Sequence, residues 1–246
     1  MFMLQVLRPI ILLVLFTQTA SLWAADQSVL FRNVNVFDGV HEQLRGNAYV
    51  LVTGNTIAQV SDNKIIAPEG AHIVEGEGRT LMPGMIDAHS HLAITTSLKD
   101  IHGYVTPEEN AIRTTVIARD FLSDGFTTVR DMGGNTFALK KTIDEGLIPG
   151  PRIYPSGAFL SQTSGHGDFR TPAESHPSTG HIDAGHRLGM GVVADGKTEV
   201  YRAVRENLRQ GATQIKMMGS GGAGSDFDPI DSLQYQPEEQ MAAVAA

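Results

Sequence analysis

Residues 28–80 contain short apolar runs that alternate with polar residues and are bounded by turn residues. The segment SVLFRNVNVFDG is rich in β-forming residues and ends in an Asp-Gly turn, whereas NAYVLVTGNTIAQVS places two apolar runs around Thr-Gly-Asn. Runs of this kind, interrupted by such turns, predict strands, and the second segment predicts a hairpin. We therefore expect residues 25–80 to form the N-terminal part of a small β-sandwich domain.

The pattern then changes to strands that alternate with helices. The helix predicted over residues 106–124 has Thr106 as its N-cap, Pro107 at its first position, Glu109 in a capping box and Gly125 at its end. Further strands are predicted in FTTVRDMGG, PRIYPSGAFL and ATQIKMMGSGG, and further helices in NTFALKKTIDEG, GKTEVYRAVRENLRQG and QPEEQMAAVAA. This alternation predicts an α/β fold with a parallel sheet and a site at the carboxyl ends of its strands.

The first 24 residues have the organisation of a secretory signal peptide. Arg8 precedes the apolar run PIILLVLF, small residues follow, and cleavage after Ala24 fits this order. The apolar run is too short to span a bilayer, so an uncleaved membrane anchor is the weaker alternative. We expect an exported protein, periplasmic or secreted, that has no membrane partner after cleavage.

The chain of 246 residues has a formal net charge of −8 and contains no cysteine. The acidic balance argues against a nucleic-acid partner, because such a partner requires a basic surface. The lack of cysteine excludes disulfides, thiol catalysis and thiolate metal ligands. Any metal ion must therefore be bound by nitrogen and oxygen ligands.

Two histidines separated by one residue follow the first predicted strand of the α/β region, in LMPGMIDAHSHLA. Side chains alternate between the two faces of a strand, so Asp87, His89 and His91 share one face. Two imidazoles directed at one point can form part of a metal site. The alternative is that these are polar residues on a solvated strand face, because short His-x-His patterns also occur by chance.

Residues 160–196 follow the third predicted strand of this region and are expected to be a lid-like insertion over the carboxyl ends of the strands. The insertion contains four histidines, His166, His176, His181 and His186. Loops of this length are functional lids in many proteins. The alternative is a flexible surface loop whose histidines have no function.

The blocks PGMIDAHSH, GFTTVRDMGG, GPRIYPSGAFLSQTSGHGD and IKMMGSGG occur in an order that resembles the metal-dependent amidohydrolase superfamily. The resemblance is to its branch of imidazolonepropionase-like and prolidase-like dipeptidases, of the Xaa-Pro or Xaa-Arg type, and covers nearly all of residues 28–246. It implies a (β/α)8 TIM barrel with a small N-terminal β-sandwich. Residues 81–246 supply only the first half of such a barrel, so we expect the chain to be the N-terminal half of a longer protein.

The resemblance also implies a site for two divalent metal ions, with zinc as the default. His89 and His91 match the histidine pair that binds one ion, and Lys216 matches the lysine whose carbon dioxide adduct, a carbamate, bridges both ions. Burial and nearby cations lower the pKa of a lysine, and carbamate formation requires the neutral amine. The alternative for Lys216 is a lysine that extends from a strand end into solvent.

His166, in TSGHGD, and Tyr235 match family residues near the substrate, although Ser164 stands where the family motif usually has glycine. The family's two remaining histidine ligands and its strand-eight aspartate, which handles the proton, have no counterpart in this sequence. No catalytic residue is therefore assigned within this chain. Arg130 and Asp131 are expected to form a structural ion pair.

The function implied by the resemblance is hydrolysis of amide or peptide bonds in a small-molecule substrate, a dipeptide or an N-acyl amino acid. A hydroxide bound to the metal ions attacks the carbonyl carbon. The alternatives are a mononuclear deaminase or cyclic-amide hydrolase of the same superfamily, and an inactive truncated remnant. The expected protein partners are a missing C-terminal half or further copies of the chain in a homo-oligomer.

Overall fold

The structure is a computed structural model, in which residues 27–223 and 228–246 are described. The predicted signal peptide over residues 1–24 lies outside the described residues. The chain divides into two compact units, Met1–Pro83 and Gly84–Ala246. No helix within the described ranges is both long enough and apolar enough to cross a membrane.

The first unit is built around a five-stranded sheet. Its strands are β1 (Ser28–Val36), β2 (Arg45–Thr53), β3 (Thr56–Ser61), β4 (His72–Glu75) and β5 (Thr80–Leu81). The sheet order is β3-β2-β1-β4, and β5 pairs with the C-terminal end of β1. β2 is antiparallel to both β1 and β3, whereas β4 and β5 run parallel to β1.

The hairpin predicted around Thr-Gly-Asn is confirmed. The pairing of β2 with β3 ends at Thr53 opposite Thr56, and Gly54 in the turn has a positive φ of 59°. A buried cluster in this unit contains Val34 of β1 together with Ala48 and Val50 of β2. Arrangement of this sheet within a β-sandwich stays a prediction.

The second unit alternates strands with helices. Its strands are β6 (Met85–Ser90), β7 (Phe126–Asp131), β8 (Arg152–Pro155), β9 (Phe159–Ser161) and β10 (Gly191–Val193). Its helices are α1 (Leu98–Gly103), α2 (Pro107–Ser123), α3 (Phe137–Asp144), α4 (Ala184–Arg187), α5 (Gly196–Gln210) and α6 (Pro237–Ala245). β6, β7 and β8 form a parallel sheet in that order, and β9 pairs in parallel with β10. The predicted mixed α/β character is confirmed.

Helix α2 begins at its predicted position. The Thr106 hydroxyl accepts a hydrogen bond from the Glu109 amide at 3.2 Å, which satisfies one of the N–H groups that the start of a helix leaves unpaired. Ala118 of this helix packs with Val129 of β7 and Ile153 of β8 in a buried cluster. α2 therefore covers one face of the sheet whose strand ends carry the candidate site.

The predicted strand PRIYPSGAFL is divided into β8 and β9 by a bend at Gly157. Gly157 has a φ of 71°, which favours glycine, and a Cβ atom there would lie 2.5 Å from Asn207 Oδ1. The Asn207 side chain accepts a hydrogen bond from Ala158 N at 3.2 Å and donates one to Ala158 O at 2.8 Å. A side chain of α5 thus fixes the bend, and β9 pairs with β10 instead of extending β8.

The segment ATQIKMMGSGG, predicted as a fourth strand, pairs with β9 at one residue only. Leu160 N donates to Lys216 O at 2.9 Å, and Met218 N donates to Leu160 O at 3.0 Å. β9 is three residues long, and all three of its residues pair with β10 on its other side. The two hydrogen bonds nevertheless fix the backbone around Met217, and with it the direction of the Lys216 side chain.

The predicted insertion over residues 160–196 folds into short elements. It contains most of β9, a 3-10 turn over Pro177–Thr179, helix α4 and strand β10. Asp183 begins α4 by accepting a hydrogen bond from His186 N at 3.0 Å. The function of this insertion as a lid stays a prediction.

Candidate metal centre

The two histidines of the AHSH stretch meet at the carboxyl end of β6. The ring centroids of His89 and His91 are 5.2 Å apart, and the ring planes are inclined at 55°. Ser90 between them is buried, with 3% of its surface exposed. The alternation of side chains along an extended chain therefore brings the two imidazoles together on one side.

Lys216 approaches the same point from a distant part of the chain. Its Nζ atom lies 3.5 Å from His89 Nε2, although the two residues are 127 positions apart. Burial lowers the pKa of Lys216, and the positive charge of Arg130 lowers it further. A lowered pKa increases the fraction of neutral amine, the form that reacts with carbon dioxide.

The surroundings of His91 favour its neutral form. Burial lowers the pKa of His91, the charges of His89 and Lys216 lower it further, and Asp87 opposes these effects. The buried Nδ1 atom of His91 has no hydrogen-bond partner in the described part of the chain. A neutral imidazole with an unpaired nitrogen is the form of histidine that binds a metal ion.

Asp87 shares a strand face with the histidines but turns its carboxylate toward the backbone. Its Oδ1 atom accepts a hydrogen bond from His89 N at 2.9 Å. Among the described residues, no group of three or more histidine, cysteine, aspartate or glutamate side chains is arranged to hold a metal ion. His89, His91 and Lys216 therefore fit a metal ion as two nitrogen ligands and a lysine that becomes an oxygen ligand once it is carboxylated.

Asp131, at the end of β7, fixes the backbone that follows the two histidines. Its Oδ1 accepts a hydrogen bond from Leu92 N at 2.9 Å, and its Oδ2 accepts one from the Thr136 hydroxyl at 2.7 Å. The predicted ion pair between Arg130 and Asp131 is wrong, because adjacent strand residues point to opposite faces. Arg130 Nε donates to Ala88 O at 2.6 Å instead.

Replacement of Asp131 by asparagine is expected to change the pH dependence of stability. Burial raises the pKa of Asp131 to about 6, while hydrogen bonds from Thr136 and Leu92 oppose this shift. Because the folded-state pKa exceeds the unfolded value, ionisation lowers the free energy of unfolding by up to about 3 kcal/mol as the pH rises from about 4 to above 6. Asp131→Asn removes this loss and keeps an oxygen that accepts from Leu92.

The measurement is urea denaturation of Asp131→Asn and the wild type at several pH values. We expect the free energy of unfolding of the variant to rise, relative to the wild type, through the same pH window. Asp120→Asn, a matched change at an exposed position of α2, is the control. A difference between Asp131→Asn and the wild type that is constant with pH would contradict this prediction.

The Phe159 ring is buried near Gly133, beside the histidine pair, and near Gly167, in the loop that carries His166. A Cβ atom on Gly133 would lie 2.7 Å from Phe159 Cδ1 and 3.5 Å from His91 Nδ1. A Cβ atom on Gly167 would lie 2.5 Å from Phe159 Cε2. Close approach of the backbone at both glycines therefore lets one buried aromatic ring pack against both parts of the candidate site.

His166 is partly exposed and is held by residues from a later part of the chain. Its Nδ1 atom lies 3.2 Å from Asp228 Oδ2, and its backbone N donates to Gln234 Oε1 at 2.9 Å. Asp228 and Gln234 were not identified from the sequence. The only sequence signal for them is a carboxylate and an amide within the segment that follows the glycines after Lys216.

Tyr235 lies in the interior of the second unit, with 5% of its surface exposed. It belongs to a buried cluster with Leu160, Val200 and Val204. Burial raises the pKa of Tyr235, and the negative charge of Asp195 raises it further, so the hydroxyl stays protonated. The hydroxyl has no hydrogen-bond partner within the described residues, which leaves its proton available for donation.

The three other histidines of the insertion make contacts within the insertion or at its end. His176 Nε2 lies 3.4 Å from Asp195 Oδ2, and His181 Nε2 lies 3.6 Å from Glu174 Oε1. His186 lies in α4. Lys216 therefore contacts His89, and the His89 ring lies beside that of His91. The contacts described for His176 and His181 are with Asp195 and Glu174 and not with these three residues.

Comparison with known proteins identifies the family. Residues 80–246 match the sequence profile of the amidohydrolase family. The chain belongs to this family. The matched range of the amidohydrolase includes all five predicted site residues, from His89 to Tyr235.

Relatives of this amidohydrolase include enzymes named for several substrates. The ochratoxinase of Aspergillus niger is 36% identical over 220 residues, which cover 84% of this chain and 45% of the relative. A solved prolidase complexed with N-methylphosphonate-L-proline is 38% identical, with a TM-score of 0.78 over 89% of this chain and 53% of that chain. A solved Xaa-Pro dipeptidase with bound methionine in the active site is 28% identical, with a TM-score of 0.73 over the same shares, 89% and 53%.

The likeness to these structures shows the amidohydrolase fold of TIM-barrel type for the part of the fold that this chain covers. The chain spans about half the length of the relatives it matches, 45% of the ochratoxinase and 53% of the prolidase. The predicted mixed α/β content and the predicted TIM-barrel type are therefore confirmed for this part of the fold.

Proposed function

We propose that this amidohydrolase hydrolyses amide or peptide bonds in dipeptides or N-acyl amino acids. The observation that supports the proposal is the approach of Lys216 Nζ to 3.5 Å from His89 Nε2, beside His91. Relatives named prolidase, Xaa-Pro dipeptidase and ochratoxinase support a carbon–nitrogen bond as the target. The lysine favours this function over a mononuclear deaminase, since that branch of the superfamily does not use a bridging lysine carbamate.

We propose that His89, His91 and a carbamate on Lys216 would hold the divalent metal of a two-ion site, with zinc as the metal. When bound, the ions would activate a water molecule and polarise the carbonyl group of the substrate. The chain itself favours the neutral imidazole of His91 and the reactive amine of Lys216 through burial, which lowers both pKa values.

We propose that His166 and Tyr235 bind the substrate. Tyr235 can donate a hydrogen bond through a hydroxyl that its raised pKa keeps protonated. His166 can donate through its imidazole, whose side chain is 30% exposed. Such donors suit the carboxylate that a dipeptide or an N-acyl amino acid carries.

We propose that the rest of the active site is supplied from outside this chain. Two further histidine ligands and an aspartate that handles the proton would come from a C-terminal half or from a second copy in a homo-oligomer. We also propose that the protein is exported, to the periplasm or the medium, after cleavage of residues 1–24. After cleavage, the proposed mature protein has no membrane or nucleic-acid partner. We propose in addition that the five-stranded sheet of the first unit forms part of a β-sandwich.

The test is hydrolysis of a substrate panel by the full-length protein, before and after metal removal. We expect free amino acids to be released from Xaa-Pro dipeptides or N-acyl amino acids, as measured by chromatography. Chelation is expected to abolish the activity and added zinc to restore it, because the reaction depends on a metal ion. Adenosine derivatives and cyclic amides are the comparison substrates. Turnover of these alone, or full activity of the metal-free protein, would refute the proposal.

A further inference from the structure

A buried carboxylate beside His166 has no role in the function proposed above. The side chain of Asp228 is 1% exposed. Its Oδ2 atom lies 3.2 Å from His166 Nδ1, 3.0 Å from Gly222 N and 3.4 Å from Gln234 Nε2. Its Oδ1 atom is buried and has no hydrogen-bond partner within the described residues. The hydrogen bonds described for this carboxylate therefore converge on one oxygen.

The other neighbours of Asp228 Oδ2 determine which nitrogen of His166 carries a proton. The backbone N–H of Gly222 can only donate. Gln234 Oε1 accepts from His166 N at 2.9 Å, which orients the amide so that its Nε2 donates to Asp228. Because a carboxylate oxygen only accepts hydrogen bonds, the ring nitrogen that faces it must be a donor. The neutral ring of His166 therefore has its proton on Nδ1.

The backbone at Gly222 restricts the same ring. A Cβ atom at this position would lie 2.2 Å from His166 Cε1 and 2.7 Å from His166 Nε2. The backbone of Gly222 therefore lies directly against the ring edge, and its N–H group also donates to the carboxylate of Asp228. One loop thus fixes both the ring and the acceptor that faces it.

We propose that Asp228 is a positioning residue for His166. It holds the ring in one orientation with the proton on Nδ1, so that Nε2 is the nitrogen through which His166 contacts the substrate. When the ring also carries a proton on Nε2, that nitrogen donates to a substrate carboxylate while Nδ1 still donates to Asp228. Gln234 supports this arrangement, since it contacts both the His166 backbone and Asp228. The proposal rests on the proposed function in that His166 contacts the substrate.

The first test reads the tautomer of His166 directly, without any activity. In full-length protein labelled with 15N in histidine, NMR at alkaline pH is expected to show the His166 proton on Nδ1. His166→Gln assigns the signal among the nine histidines. Asp228→Asn, which keeps an accepting oxygen, is expected to retain this tautomer, and Asp228→Ala is expected to lose it.

The matched control for the NMR test is Asp231→Ala, a loss of the same charge at an exposed position nearby, which leaves the His166 tautomer unchanged. A wild-type proton on Nε2 would overturn the proposal, whether or not any variant folds. Retention of the Nδ1 proton in folded Asp228→Ala would overturn it as well.

The second test asks whether Asp228 acts only through His166. We expect Asp228→Ala to lower kcat/KM by about 10- to 100-fold, the loss typical of groups that orient a functional histidine. The double variant with His166→Gln is expected to be no worse than His166→Gln alone. Additive losses would indicate an independent structural role and overturn the proposal. If the wild type lacks amide hydrolysis, the proposed function fails, while the NMR result still decides the role of Asp228.

Discussion

Lys216→Ala is expected to weaken divalent metal binding by the full-length protein by at least about 10- to 100-fold. His89 and His91 remain in this variant, but it lacks the anionic ligand that we propose for Lys216, and two neutral imidazoles alone provide a weaker site for a divalent ion. The described residues contain no group of three histidine, cysteine, aspartate or glutamate side chains that replaces the lost ligand. We therefore expect the bridged pair to disappear.

Metal content per chain after extensive buffer exchange measures this effect of Lys216→Ala. Protein supplied with 13C-labelled bicarbonate is expected to show a carbamate signal by NMR in the wild type, and the variant is expected to lack it. Lys197→Ala, an exposed lysine in α5, is the matched control, and Lys216→Glu is expected to keep part of the metal because it retains a carboxylate. Unchanged metal content in Lys216→Ala would show that the lysine is not a ligand.

Arg170→Ala is expected to destabilise the fold by about 3–5 kcal/mol, because it leaves a buried carboxylate without its partner. The side chains of Arg170 and Asp168 are 9% and 6% exposed, and two hydrogen bonds of 2.7 and 2.6 Å join them. Burial raises the pKa of Asp168, but the hydrogen bonds from Arg170 and from Ser164 N outweigh this and hold the pKa below its ordinary value.

Urea denaturation at neutral pH measures the loss of stability in Arg170→Ala. The pKa of Asp168 is lower in the folded state than in the unfolded state, so its ionised form stabilises the fold at pH values above the unfolded pKa of about 4. The difference in stability between Arg170→Ala and the wild type is therefore expected to shrink as the pH falls below about 4. Arg187→Ala, an exposed arginine in α4, is the matched control and is expected to change stability by less than about 0.5 kcal/mol. A loss in Arg170→Ala no larger than that of the control would contradict the prediction.

The sequence alone predicts those elements whose signals lie within a few residues of one another. The Thr106 cap of α2 and the turn between Thr53 and Thr56 both lie where the pattern places them. Gly211 ends α5 with a positive φ of 103°, as its position after the last helical turn predicts. These features depend on local capping and backbone preferences, which can be predicted from the residue types at neighbouring positions.

The candidate site could be predicted where one local pattern carries the chemistry. His89 and His91 lie close together because strand alternation determines their common side. No local pattern distinguishes Lys216 from a solvent-exposed lysine, and only the family resemblance selected it. Its position 3.5 Å from His89 depends on the pairing of the following segment with β9.

The hydrophobic and polar pattern of this sequence determined its alternating strands and helices, its turns and the histidine pair. Only the tertiary structure decided that Asp131 supports Leu92, 39 residues away, and that Asp228 faces His166, 62 residues away. It also replaced the expected partner of Arg130 with the backbone of Ala88. The physical reason is that hydrogen bonds between distant residues depend on the path of the whole chain, whereas alternation and capping act between near neighbours.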